Sequence, residues 1–300
     1  MRVSTSQMQM TGTNAMLDRF TELSNTQKQL ATGLRILKPS DDPVGITQIM
    51  PLKDIISINQ QYNKNADAAT ARLQMEDSTL GSVTSILIRI HELAVQANND
   101  TLGSSDRAAI AEEVDQNLAT LMGLANTRDG NGEYIFAGDN VTTQPFTESP
   151  PGTFNYTGDN GQRNLQIGAT RQVAVGDPGD DVFVNLAFSG GGTQDIFKTI
   201  ADYSTSLRAN TPDSNIITDL QTAMDNVFTT RAQVGSRLNA IDTQQNLNEE
   251  LVLQSTETVS NIEDLDIAEA ISRLNLQLVG LQASQQTFTK VQNLSLFNYL

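Results

Sequence analysis

The chain of 300 residues contains one histidine, His91, and no cysteine. Thiolate nucleophiles, thiolate metal sites and disulfides are therefore excluded. Any hydrolytic triad would have to use His91 as its base. His91 follows Ile90 in a helix-periodic stretch with no supporting nucleophile motif, and fits a surface or partly packed side chain. Gly190-Gly191-Gly192 lacks the Lys-Ser/Thr that a phosphate-cradling loop requires. Asp41-Asp42 and Glu249-Glu250 are adjacent pairs, which suit a helix cap and a solvated face better than a cation's shell of oxygens. The sequence predicts no catalytic residue, no metal ligand and no bound cofactor; the protein is not expected to be an enzyme.

Composition narrows the partners. The net charge is -16 and the isoelectric point about 4.3, with no Lys/Arg cluster, so nucleic acid is not an expected partner. Between Leu238 and Ser272 stand eight carboxylates and no base, which fits a solvated helix face. No apolar run reaches the ~20 residues that span a bilayer, so membrane insertion is not expected. The start, Met1 to Gln7, has no signal-peptide core; export would have to bypass the general secretory route.

The elements that position these residues are mostly helical. Residues 1 to 14 show little period and are expected to be weakly structured in isolation. From Met16 the spacing Met16, Phe20, Leu23, Gln27, Leu30, Leu34, Leu37 alternates four and three, the mark of a helix with one apolar seam. Lys38 to Pro43 breaks it, with Asp42 placed to cap a new helix at Pro43. That helix should reach about Asn98 on the seam Leu73, Leu80, Val83, Leu87, Ile90, Ala94 and Ala97. Another follows from about Ser105 to Asn126. At the other end of the chain, Ile196 to Ala209 precedes a very long helix through Leu220, Val227, Val234 and Ile241 to Ile262. A last seam runs through Ile267, Ile271, Leu274, Leu278, Leu281, Phe288 and Leu294.

The middle differs. Thirteen of the 20 glycines fall between Gly123 and Gly192, with short β-prone pieces at 133–136, 153–156, 164–167, 171–175 and 181–184. Gly158-Asp159-Asn160-Gly161 signals a hairpin between the second and third pieces. The predicted fold is mainly α with a small β-rich insert. Helices from both chain ends form a long antiparallel bundle or coiled coil. The expected divisions are terminal arms 1–42 and 263–300, disordered in the free monomer, a helical bundle from 43–137 and 193–262, and an outer β-rich domain at 138–192.

Several stretches resemble bacterial flagellins. Lys28 to Ile36 followed by Ser40-Asp41-Asp42-Pro43-Val44-Gly45 is similar to the amino-terminal flagellin signature, and Ser85 to Asn98 to the end of the first long flagellin helix. Arg231 to Asn239 and Ile262-Glu263-Asp264-Leu265-Asp266 resemble the carboxyl-terminal signatures. Asp129 to Gly138, the single small insert and the tail Leu294 to Leu300 are nearer to the hook-associated protein 3 branch, which forms the hook–filament junction. The resemblance implies a secreted, extracellular structural adaptor, exported by the type III apparatus with a chaperone. It also implies a ring of identical copies between hook-associated protein 1 and flagellin. The alternatives left open are a short flagellin that forms the filament itself and a secreted adhesin or enzyme acting through the insert.

The seam residues nearest the chain ends are then the candidate assembly interface: Leu23, Leu30, Leu34, Leu37, Ile267, Ile271, Leu274, Leu278, Leu281, Phe288, Leu294, Phe297 and Tyr299.

Overall fold

A computed structural model of the chain describes residues 5–189 and 191–293. Three helices open it: α1 (Thr5–Thr32), α2 (Pro43–Ala97) and α3 (Ser104–Ala125). Six short strands follow: β1 (Phe146–Glu148), β2 (Phe154–Tyr156), β3 (Asn164–Gln166), β4 (Gln172–Ala174), β5 (Leu186–Ala187) and β6 (Thr193–Gln194). Helices α4 (Ile196–Arg208), α5 (Asn215–Glu263) and α6 (Ile267–Asn293) complete it. The mainly helical class with a small β-rich middle is as the sequence predicts.

The contacts group into two units, one within 1–58 and 251–300 and one within 59–250. In the second, the predicted α2 seam holds in full: Leu73, Leu80, Val83, Leu87, Ile90, Ala94 and Ala97 are all buried. All but Leu73 pack with Ile110, Val114 and Leu121 of α3, Phe197, Ile200 and Leu207 of α4, and Leu220 and Val227 of α5. Phe136, Phe146, Phe183 and Phe197 add an aromatic cluster, with Phe146 5.0 Å from the Phe197 ring and 5.5 Å from that of Phe183. A smaller cluster sets Ile167, Val173 and Val175 of the middle segment against Leu73 of α2 and Val234 and Ile241 of α5. The strand segment thus shares its apolar side chains with the helices. Buried Asn248 donates to the Ile167 carbonyl at 2.9 Å and pins the β3–β4 turn to α5.

Four local expectations are corrected. The predicted hairpin across Gly158–Gly161 does not form: β1 pairs with β2 and β3 with β4, each antiparallel. The 158–161 loop is instead tied back to residues 136–139. Asp159 Oδ1 accepts the Asp139 and Gly161 amides, and the single Tyr156 hydroxyl proton is shared between the Phe136 and Asp159 carbonyls, 3.1 and 2.9 Å away. The 181–184 piece is no strand but part of a single wide helical turn, Asp180–Val184. The 133–136 piece makes only an isolated bridge, Arg128 to Tyr134.

The fourth lies in α1. It spans Thr5–Thr32 and ends before Leu34 and Leu37. Gly33 adopts a left-handed conformation (φ +74°), which a residue without Cβ takes at little cost, and stops the helix. Leu34 and Leu37 are therefore not continuing the α1 seam.

Candidate assembly interface

The first unit is held by a joint between the end of α1, the start of α2, the end of α5 and the start of α6. Leaving the helix at Gly33 turns the chain so that Leu34 bridges Asp264 in antiparallel fashion. The Leu265 amide donates to the Gly33 carbonyl (2.9 Å) and the Arg35 amide to the Glu263 carbonyl (2.7 Å). The Arg35 guanidinium donates to the Ile262 carbonyl at 2.6 Å, which satisfies an orphan acceptor at the carboxyl end of α5. Arg35 also pairs with Asp42 (3.4 Å), and Lys53 with Glu263 (2.7 Å). Asp41 and Asp42 act as caps: Asp41 accepts the Leu37 and Lys38 amides, and Asp42 Oδ1 accepts the Gly45 amide at the start of α2. Beneath them Ile36, Ile49 and Val259 are buried together, flanked by Ile46, Leu52, Ile56 and Ile262.

Beyond this joint α1 and α6 run antiparallel, with the Leu34–Asp264 bridge at one end and Gly12 against Phe288 further along. Each helix carries two overlapping four/three repeats. On α1 both include Met16, Leu23 and Leu30; one is completed by Phe20 and Gln27, the other by Gly12, Arg19 and Thr26. On α6 both include Leu274, Leu281 and Phe288; one is completed by Ile271 and Leu278, the other by Ala270, Gln277 and Ser284. The helices pair through the second set in each case. Gly12, Met16, Leu23, Thr26 and Leu30 are buried or half-buried, as are Ala270, Leu274, Gln277, Leu281, Ser284 and Phe288. Arg19 stays in solvent, paired with Glu22. A Cβ at Gly12 would meet the Phe288 ring at 3.1 Å, so on α1 the second set includes a position where that ring sits on bare backbone.

The seam is consequently poor in apolar surface and polar in places. Thr26 is buried with its hydroxyl on the Glu22 carbonyl, and Gln277 Oε1 is buried without a hydrogen-bond partner. The richer stripe faces solvent: Ile267 is 59% exposed, Ile271 47%, Leu278 38% and Phe20 60%. At 100° per residue this stripe lies roughly 80° around each helix from the buried seam.

The sequence-predicted interface residues therefore separate. Leu23 is buried, and Leu30, Leu274, Leu281 and Phe288 are half-buried between α1 and α6. Leu34 and Leu37 are half-buried in the joint, while Ile267, Ile271 and Leu278 are exposed. Leu294, Phe297 and Tyr299 lie outside the described residues. Sequence reasoning missed Arg35 and Lys53, whose partners are more than 200 residues away, and missed Gly12 and Ala270, which carry no hydrophobic signal.

Residues 3–141 match the family model of the bacterial flagellin N-terminal helical region, and residues 217–300 that of the C-terminal helical region. Similarity to flagellins proper stops short of the whole: the flagellin of Clostridium tyrobutyricum is 33% identical over 39% of this chain and 31% of its own length. By contrast, flagellar hook-associated protein 3 of Escherichia coli (strain K12) is 31% identical over 99% of each chain. The chain belongs to the flagellar hook-associated protein 3 family. The crystal structure of flagellar hook-associated protein-3 from Legionella pneumophila shares the fold of this family member, with a TM-score of 0.67 at 21% identity, over 71% of this chain and 98% of that one.

Among the described residues no group of three or more His, Cys, Asp or Glu side chains could hold a metal ion. Among the same residues no helix is long and apolar enough to cross a membrane. His91 is half-buried on α2, and its Nε2 has no partner in the fold.

Proposed function

We propose that the chain is a structural adaptor of the bacterial flagellum that joins hook to filament, with no enzymatic role and no cofactor. The observation that carries this reading is similarity along the whole chain to flagellar hook-associated protein 3. The mechanism follows from α1 and α6. Helices of this length paired by one thin seam gain little from each other, and helical stability in water comes mostly from packing an apolar face. Fixing backbone costs about 1–2 kcal/mol per residue. Neighbouring copies that cover Phe20, Ile267, Ile271 and Leu278 supply the missing burial, so α1 and α6 become stable where neighbours are present.

In this reading the copies form a ring, with hook-associated protein 1 on one side and flagellin on the other. The chain reaches that extracellular site through the type III export apparatus, escorted by a chaperone. The acidic surface argues against nucleic acid as a partner, and the polar faces of the helices argue against membrane insertion. The partly buried seam of Leu23, Leu30, Leu274, Leu281 and Phe288 belongs to the subunit, and the exposed stripe to its neighbours. Purified chain added to isolated hooks bearing hook-associated protein 1 should cap them with one finite layer and then accept flagellin. Growth of long filaments from the chain alone would instead make it a short flagellin.

A further inference from the structure

A buried group of charges lies where the middle segment meets α2 and α5. Glu76 of α2 is 1% exposed. Its Oε1 accepts the Asp177 backbone amide at 3.0 Å, while Oε2 is buried without a partner. Asp177, just after β4, is also buried and forms a two-point ion pair with Arg237 of α5 (2.8 and 2.9 Å), with Gln162 donating to it at 2.8 Å. Arg72, one turn before Glu76, has both Nη atoms engaged, while its Nε is buried without a hydrogen-bond partner. Its Nη1 reaches Asp129 (3.3 Å) and Glu133 (3.0 Å), and its Nη2 the Tyr134 carbonyl. Arg163 adds a second bond to Glu133 at 3.3 Å.

Counting these groups shows which state of Glu76 the site accommodates. Arg72, Arg163 and Arg237 face Asp129, Glu133 and Asp177, three charges of each sign. A neutral Glu76 leaves the group balanced. An ionised one adds an uncompensated charge in a buried place, beside the Asp177 carboxylate; the Asp181 carboxyl is likewise raised by burial, by Asp180 and by Asp177. Burial first, and then Asp177, push the Glu76 carboxyl up to about 8, against the downward pull of the Asp177 amide, Arg237 and Arg72.

We propose that Glu76 and Asp177 form a proton-operated latch that holds the segment after β4 against α2 and α5 when Glu76 carries its proton and releases it when Glu76 ionises. The sign follows from linkage. The closed form holds a proton that the open, solvated form gives up at an ordinary carboxyl value, so closure is favoured at low pH and lost as pH rises through the raised value. Taking the open form at 4.5 and the closed form at about 8, the opening constant rises about 30-fold between pH 6.5 and 9. The latch is independent of the adaptor reading, since it lies wholly within 59–250.

The test is amide hydrogen exchange on the full chain at pH 6.5, 7.5 and 9, corrected for the intrinsic rate. Protection in 172–184, the Asp177 amide above all, should fall by roughly 10- to 100-fold across that range. It should stay flat in Glu76→Gln, while the α3–α4 core is unchanged in both. Unchanged protection in the parent chain, or an equal loss in Glu76→Gln, overturns the proposal. Should Glu76→Gln fail to fold, 13C titration of glutamate-labelled parent chain decides. One carboxyl with a midpoint between 7 and 9 is expected, and titration of every glutamate below pH 6 refutes the latch.

Discussion

Replacing Ile267, Ile271 and Leu278 together by serine separates the exposed stripe from the fold that displays it. Full burial of an Ile or Leu side chain is worth about 1.5–3 kcal/mol. These three are 59%, 47% and 38% exposed, so roughly half of each remains to be covered by a neighbour. That amounts to about 1 kcal/mol each and roughly 3 kcal/mol for the set. The triple variant should therefore bind hook ends about 100-fold more weakly, while its urea midpoint as a free chain moves little. The control is Leu274→Ala with Leu281→Ala, on the α1-facing seam, which should loosen the free α1–α6 pair itself. The assay is binding of labelled chain to isolated hooks over a concentration series, beside urea unfolding of each variant. Undiminished hook binding by the serine triple would refute the assignment of this stripe to neighbours. So would a loss of free-chain stability as large as the loss of binding, because the stripe would then be internal.

The other predictions concern the joint and the core. Arg35→Ala removes the 2.6 Å bond to the Ile262 carbonyl from a half-exposed guanidinium. It should cost about 1 kcal/mol, seen as several-fold faster exchange of the Arg35 and Leu265 amides; unchanged rates would dismiss the bond as incidental. Phe146→Ala empties a site in contact with Tyr156, Phe183 and Phe197 and should destabilise the 59–250 unit by roughly 3–5 kcal/mol, measured from the urea midpoint. Tyr156→Phe deletes the hydroxyl bonded to the Phe136 and Asp159 carbonyls. A loss of about 1 kcal/mol is expected, with exchange rising at the Asp139 amide rather than in the helices.

What the sequence made legible follows from the range of the forces involved. The α2 seam from Leu73 to Ala97 and the Asp42 cap could be found from neighbours in the chain, because helix periodicity and capping act over a few residues. The choice between two repeats on α1 and α6 could not. The two repeats share Leu23 and Leu30 on α1 and Leu274 and Leu281 on α6, and which one pairs depends on contacts with the far end of the chain, such as Gly12 with Phe288. The strand pairings were missed for a similar reason. Asp159 and Tyr156 spend the 158–161 loop on bonds to 136–139, and the closing turns lie at Pro150–Thr153 and Gly168–Arg171 instead. The Glu76, Asp177 and Arg237 group joins residues 60 or more positions apart, with no periodic signal to announce it.

In the proposed mechanism α1 and α6 are completed by neighbouring subunits. Amide exchange of those two helices, in the free chain and in chain bound to hook ends, tests this most directly. The prediction is fast exchange along Thr5–Thr32 and Ile267–Asn293 when free, slow exchange within 59–250, and strong protection of both helices once bound. Slow exchange throughout α1 and α6 in the free chain, unchanged on binding, would mean a self-sufficient pair and would contradict the mechanism.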